Sequence, residues 1–562
     1  MTYVIRFGRP RKVMLGLAVF ALFAGACTDA SDAEEPDDTA ADESDRTDAD
    51  GSVDDAEDEE ATGDASAGQF VLEEATVPTI HAAFDSGELT CEDLIAGYLD
   101  RIDAYEEDLG FNSIAALNDD ALATATDLDE AYAEAPDATG ALHCIPILLK
   151  DNFNTADMPT TSSSDAFEGM VPAEDAVTVA AMRDAGAVIL GKTHMQEFAR
   201  GGVSVFGADS LQVLNPYDLG RTPGGSSGGT GTAIAANFAT LGTGSDTGQS
   251  IRSPASANSL VGVRPTRGLV ARTGVAPNSY TQDEIGPITR TVEDAARLLE
   301  VMVGYDAADP VTSLGVGNEA DDYLETLNES ALEGARIGLM ENMLGDEDIH
   351  QETNEVVEQA VAQFEELGAE VVYFSIEEYD ELAGEVSTSV YEAAAAMEQY
   401  LQLVGENAPV DTLQEIVDMD VVAPEIAGAL EEEVAFDDGM SQPEYFERTA
   451  NRELLTFEVL SAMADEELDA ILYPHQSRLV AEVGDDQLER NGTLSNGTGL
   501  PAVTFPGGFS EPTDSAPEGV PIGIELLGRE FSEPQLLGYA YAFEQAADVR
   551  VPPASTPPLG ED

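Results

Sequence analysis

The chain has 562 residues, 43% of them hydrophobic, which is enough for one large or two ordinary globular domains with a real core. Its 110 acidic residues against 24 basic ones give a formal net charge of -86, which argues against a nucleic-acid partner, because phosphate binding needs clustered lysine and arginine. The only lysines are Lys12, Lys150 and Lys192, and a surface so rich in carboxylate suits a high-salt setting, although a merely solubilising surface has the same composition.

The chain opens like an export signal over residues 1–26. Arg6, Arg9, Arg11 and Lys12 precede an apolar run at 13–23 that is short for a bilayer span, followed by the small residues Ala24-Gly25-Ala26. The next residue, Cys27, resembles the lipidated cysteine of a bacterial lipoprotein, with Ala24 standing where that pattern usually has leucine; ordinary cleavage after Ala26 is the alternative. From 27 to 68 the chain is acidic and nearly devoid of apolar residues, so it reads as a disordered tether. The expected plan is an exported protein held at a membrane by its lipid alone, with a globular body at 69–550 and a loose proline-rich tail at 551–562.

Within the body, Thr90-Cys91-Glu92-Asp93 has capping-box spacing, and Leu94, Tyr98 and Ile102 continue an apolar helical face. Residues 145–149 read as a buried strand, 176–185 as a helix feeding a strand at 187–190, and 232–241 as a helix running into a strand. Helices near 291–303 and 351–367 accompany apolar runs at 336–339 and 371–374. Residues 376–466 read as a helical, acidic insertion or cap without visible chemistry. Strand signals return at 470–473, 502–505 and 522–527, before a last helix at 533–547. Helix alternating with buried strand predicts an α/β body with helices on both faces of a sheet.

Three motifs compete for the chemistry. Residues 186–193, Gly-Ala-Val-Ile-Leu-Gly-Lys-Thr, match the phosphate-loop pattern, but the large apolar residues at its variable positions describe a strand rather than a nest around phosphates. Gly224-Gly225-Ser226-Ser227-Gly228 fits a nucleophile elbow, which needs a downstream acid and then a histidine; only His350 and His475 follow, neither in a recognisable context. Lys150 ends an apolar strand. Burial there would lower its pKa and make it a usable base, while an ion pair with Asp151 or another carboxylate is the structural alternative.

Taken together, Lys150, the run Gly-Gly-Ser-Ser-Gly-Gly at 224–229 and Gly-Ser-Asp-Thr-Gly-Gln-Ser-Ile-Arg at 244–252 strongly resemble the amidase signature family of serine hydrolases. The resemblance runs from about 77 to about 549 and is thinnest between 314 and 468. It implies the family's α/β fold, a central mixed sheet with helices on both faces, and a Ser-Ser-Lys triad without metal or cofactor. By that likeness Ser250 is the nucleophile, Ser226 the bridging serine on a cis peptide, and Lys150 the base. The backbone N–H groups of Thr247, Gly248, Gln249 and Ser250 form the oxyanion hole, and Ser227, Asp246 and Arg252 act as supports.

Two departures stand out. Gln249 replaces a common glycine, and its side chain would narrow the acyl pocket. Cys144 also replaces a glycine; the favoured reading is a small buried residue, and a disulfide with Cys91 is the alternative. The implied activity is hydrolysis of a small-molecule or peptide amide to acid plus ammonia or amine. Residues 195–202 resemble the glutaminase subunit of a tRNA-dependent amidotransferase, a role that export argues against. An esterase of the same fold and a lipid-anchored solute-binding protein are the further alternatives.

Overall fold

The computed structural model describes residues 70–560, apart from 137, 138 and 437; the expected signal segment, Cys27 and the acidic tether lie outside the described residues. In chain order the strands are β1 (Ile114–Leu117), β2 (Pro146–Lys150), β3 (Val188–Thr193), β4 (Val205–Phe206), β5 (Leu211–Gln212), β6 (Leu241–Asp246), β7 (Val261–Arg264), β8 (Glu284–Thr289), β9 (Arg336–Met340), β10 (Glu370–Phe374), β11 (Ala470–Pro474), β12 (Ala502–Phe509) and β13 (Pro521–Leu527). Among the described residues, eleven of these join one sheet in the order β1-β3-β2-β6-β8-β7-β12-β13-β11-β9-β10, while β4 and β5 form a separate hairpin. The sheet is mixed: β3-β2-β6 and β11-β9-β10 run parallel, and the strands between them pair antiparallel.

Every residue of β2, β3, β6, β7, β8, β11 and β13 is buried. Successive strand side chains point to opposite faces, so such strands must be covered on both. The helices Gly228–Ala235 and Arg252–Ala257 pack on each other and on β6 and β7; Val292–Met302 packs with Glu533–Ala547 and Val177–Asp184. This is the α/β architecture expected from the alternation of helix and strand.

β3 extends through Thr193, so the phosphate-loop lookalike is a strand. Its Lys192 is fully buried, with Nζ on Thr160 Oγ1 at 3.0 Å, Pro159 O at 3.3 Å and Asp151 Oδ1 at 3.5 Å. At the helix Cys91–Leu109, Thr90 makes one half of the expected capping box by accepting from Asp93 N at 3.1 Å. The free N–H groups of Cys91 and Glu92 donate to Asp129 across the helix pair, at 2.8 and 3.0 Å.

The favoured reading of Cys144 is corrected. Cys91 and Cys144 are joined in a disulfide with their Cα atoms 5.6 Å apart, because Cys144, two residues before β2, lies beside the first turn of the helix Cys91–Leu109. The tail expected to be loose forms no helix or strand, but it is tied down. Arg101 donates to Thr556 O at 2.9 Å and Pro557 O at 3.2 Å, and Tyr105 Oη donates to Pro557 O at 2.7 Å.

The acidic region 376–466 folds into helices, among them Ser389–Val404, Leu413–Met419, Pro424–Ala435 and Pro443–Asp465. The first three share an apolar cluster with Phe167, Met170 and Phe198 of the body. A buried ion pair, Arg200 with Glu433 at 2.8 Å, fastens this cap to the loop beyond β3.

Candidate active site

β2 and β6 lie side by side in the sheet; Lys150 ends β2, Ser250 lies in the loop beyond β6, and Ser226 lies in the loop that leads into the helix Gly228–Ala235. Lys150 is the last residue of β2 and is fully buried. Its Nζ lies 2.7 Å from Ser226 Oγ, 2.8 Å from Ser245 Oγ and 3.1 Å from Ser245 O. Burial pulls its pKa down to about 7, against the opposing attraction of Asp246 and Asp283. The alternative of an ion pair with Asp151 does not occur, since Asp151 pairs with Lys192 and receives N–H bonds from Thr161 and Ser163.

Ser226 follows a cis peptide bond from Gly225, and Gly224 before it has φ of 74°, a left-handed turn open to glycine. The Ser226 carbonyl accepts from Gln196 N at 2.9 Å. Ser227 joins the two serine loops: its N–H donates to Ser250 O at 3.3 Å and its hydroxyl donates to the same oxygen. Ser250 is 6% exposed and stands two residues before the helix Arg252–Ala257. Among the described residues, the N–H groups of Thr247, Gly248, Gln249 and Ser250 donate to no protein acceptor, so four adjacent donors remain for an oxygen at this loop.

The loop is held from beneath by buried charge. Arg252 pairs with Asp246 at 3.0 Å and with Glu525 of β13 at 2.7 Å, and donates to Gly248 O at 2.7 Å and Gly492 O at 3.2 Å. Glu525 also accepts from Tyr473 Oη, Thr504 Oγ1 at 2.9 Å and His475 Nδ1 at 2.8 Å. Burial alone would raise its pKa, but Arg252 and His475 hold it far below the usual carboxylate range. Among the described residues no histidine hydrogen-bonds to Ser226 or Ser250; His475 is engaged by Glu525 and His194 by Ser163 at 3.1 Å. The nucleophile elbow therefore lacks its histidine base.

A cavity of about 380 Å³ borders the site, lined by Ser245 and Thr247 together with Val275, Pro277, Tyr280 and Leu403. Leu403 belongs to the cap, so the cap helps to line this cavity. Its Glu392 accepts from Thr281 N at 3.0 Å and Tyr445 Oη at 2.9 Å, and Tyr400 Oη donates to Asn154 Oδ1 at 2.7 Å. The side chain of Gln249 does not line the cavity; it packs on Gly492 and its carboxamide oxygen accepts from Arg490 Nε at 2.8 Å.

A family model described as Amidase matches residues 93–537. The chain belongs to the amidase family. Among curated relatives, a glutamyl-tRNA(Gln) amidotransferase subunit from an Exiguobacterium species is 35% identical over 492 residues, covering 84% of this chain and 97% of its own. A probable amidase of Arabidopsis thaliana is 33% identical over 496 residues, covering 86% and 92%. Among solved structures, the native peptide amidase of Stenotrophomonas maltophilia superposes with a TM-score of 0.77 at 33% identity, covering 86% of this chain and 99% of its own.

This amidase-family chain also holds residues that local sequence does not mark. Ser245 touches Lys150; Asn152 Nδ2 donates to Ser245 Oγ at 3.0 Å; and Asp283, buried beneath Thr247, accepts from its Oγ1 at 2.6 Å. Glu525 breaks the apolar run of β13, and that break is its only signal; Asp283 stands in a polar loop stretch that carries none.

Proposed function

We propose that the protein hydrolyses a linear carboxylic amide to the acid and ammonia or an amine through an acyl-enzyme on Ser250. The observation that carries this reading is the buried Lys150 Nζ at 2.7 Å from Ser226 Oγ, with its pKa drawn to about 7. Neutral Lys150 accepts the proton of Ser226 while Ser226 Oγ takes that of Ser250, whose oxygen bonds to the amide carbon. The charge developing on the carbonyl oxygen meets the N–H groups of 247–250. The proton then returns from Lys150 through Ser226 to the leaving nitrogen as the C–N bond breaks, and water repeats the sequence on the acyl-serine, freeing the acid. Ser227, Asp246 and Arg252 keep the two loops in register.

The same reading includes export and a lipid anchor at Cys27. It is supported by the signal-like residues 1–26, the acidic tether at 27–68, and the Cys91–Cys144 disulfide, a bond that persists in oxidising compartments. A second reading, the glutaminase subunit of an amidotransferase, is favoured by relatives named as amidotransferase subunits. The test is a fluorophosphonate probe and a panel of aliphatic, aromatic and peptide amides, with Ser250→Ala and Lys150→Ala alongside. Labelling and turnover lost in the variants support the hydrolase; wild type and variants behaving alike reject it. Turnover confined to free glutamine would favour the second reading. Intact mass of membrane-extracted protein reports whether Cys27 carries lipid.

A further inference from the structure

In a chain with 110 acidic residues, Arg490 stands apart among the described arginines: Arg267, Arg290, Arg452 and Arg529 also lack an ion pair, but each of them donates to backbone carbonyls. Arg252, Arg264, Arg272 and Arg550 each pair with a carboxylate. Arg490 has no carboxylate partner among the described residues; its side-chain acceptor is the neutral carboxamide oxygen of Gln249, facing Nε, Nη1 and Nη2 at 2.8, 3.0 and 3.2 Å. Burial pulls its pKa down to about 10, with no carboxylate acting against it. Holding a partly buried guanidinium against one amide dipole is costly, and a planar fork of donors fits a carboxylate far better.

Its position gives that cost a use. Gln249 immediately precedes Ser250. On the other side the guanidinium lies on Gly202, where an added Cβ would come within 1.7 Å of Nη1. Gly202 in turn abuts Gly225, whose own Cβ would come within 2.8 Å of Gly202 C, and Gly225 precedes Ser226. Arg490 therefore adjoins both serine loops. Its own loop is fixed, since Gly492 O accepts from Arg252 and Asn491 N donates to His475 O at 2.8 Å. The mostly apolar cavity lined by Ser245 and Thr247 does not include Arg490, so the cationic contact beside the serine loops is separate from it.

We infer that Arg490 is a specificity residue that binds a carboxylate on the substrate, a few bonds from the scissile amide, displacing the Gln249 carboxamide from its guanidinium. That the anion belongs to a substrate rests on the amide-hydrolase reading of Ser250; that an anion binds rests on the Arg490 geometry alone. The carboxylate could belong to the amine portion or to the acyl portion, and the experiment separates the two.

Binding is measured by calorimetry to the Ser250→Ala protein. The amine arm compares N-butanoylglycine with its neutral isostere N-isobutylbutanamide; the acyl arm compares succinamate with 4-methylpentanamide. One anion is expected to bind about tenfold or more tightly than its isostere, with that ratio falling to near one when Arg490→Gln is added and partly kept by Arg490→Lys. The arm that responds assigns the source of the carboxylate. Unchanged ratios in both Arg490 variants, or neutral isosteres binding as tightly as both anions, would overturn the proposal. Thermal melts of each variant show whether it is folded, and the lysine variant carries the comparison if the glutamine variant is not. Turnover of the four compounds by wild type is scored separately: arginine-dependent binding without any hydrolysis would leave the anion site standing and remove the hydrolase reading.

Discussion

The guanidinium of Arg252 meets Glu525 Oε1 at 2.7 Å with both side chains fully buried, although 273 residues separate them. That contact joins the serine loop to β13 and, through Glu525, to Tyr473, His475 and Thr504. Breaking a buried pair from one side strands the remaining charge. Glu525→Ala should lower unfolding stability by roughly 3 kcal/mol, and Arg252→Ala, which strands both Asp246 and Glu525, by more. Urea midpoints of the two variants against wild type check the order.

Lys150 must be neutral to take a proton, and its pKa is drawn to about 7. The value of kcat/KM should therefore rise with pH through about 7 and level off above it. Ser226→Ala should lower kcat/KM by roughly 10²- to 10⁴-fold while sparing the fold. A pH–rate profile with the rising limb near 4 or 9 would assign the ionisation to another group.

Glu284, at the start of β8 beside Asp283, is fully buried, and neither carboxyl oxygen has a hydrogen-bond partner. Burial raises its pKa to about 7, only partly opposed by Arg272, Arg264 and Arg267. The folded state thus binds this proton more tightly than the unfolded chain. Its contribution is fully present below about pH 4.5 and is lost as pH rises through about 7. Glu284→Gln should therefore change Tm little at pH 5 and raise it at pH 8, by the equivalent of roughly 2 kcal/mol. Scanning calorimetry at the two pH values separates this from a simple packing change, which would move both alike.

The disulfide Cys91–Cys144 spans 53 residues and ties the first turn of Cys91–Leu109 to the residues entering the lysine-bearing strand. Replacing both cysteines with serine should cost about 2–4 kcal/mol. In unreduced, denatured protein neither cysteine should react with an alkylating reagent, and peptide mapping would show the linked pair.

Most strands of the sheet were legible because they are written as short apolar runs between helical repeats, and β11, β13 and the final helix fall within a residue or so of their expected ranges; β1, β7 and β8, which are short or interrupted by glycine, proline or charge, were not read. Lys150, Ser226 and Ser250 were legible only together, because their three motifs in that order resemble the amidase signature; taken singly, Lys150 read equally as half of an ion pair and Ser226 as an elbow nucleophile. What supports them was not. Glu525, Asp283 and Glu392 act through contacts that cross 36 to 273 residues, and each looks locally like another carboxylate in a chain full of them. Cys91 and Cys144 failed for the related reason that spacing along a chain says nothing of separation in space. The cap was read as helical, as it is, but which of its residues line the cavity comes from packing and not from any motif.

The tie between Arg101 and the tail bears on how the molecule could be rebuilt. Arg101 Nη1 takes Glu73 Oε1 at 2.6 Å and Pro557 O at 3.2 Å at once, and Arg550 pairs with Glu74 at 2.7 Å. The entrance and the exit of the folded body are thus neighbours, clasped by the same guanidinium. A circular permutant that joins residue 560 to residue 70 through a short linker and opens the chain at an exposed turn should keep the whole sheet, and whatever holds one end of this body at a surface also holds the other.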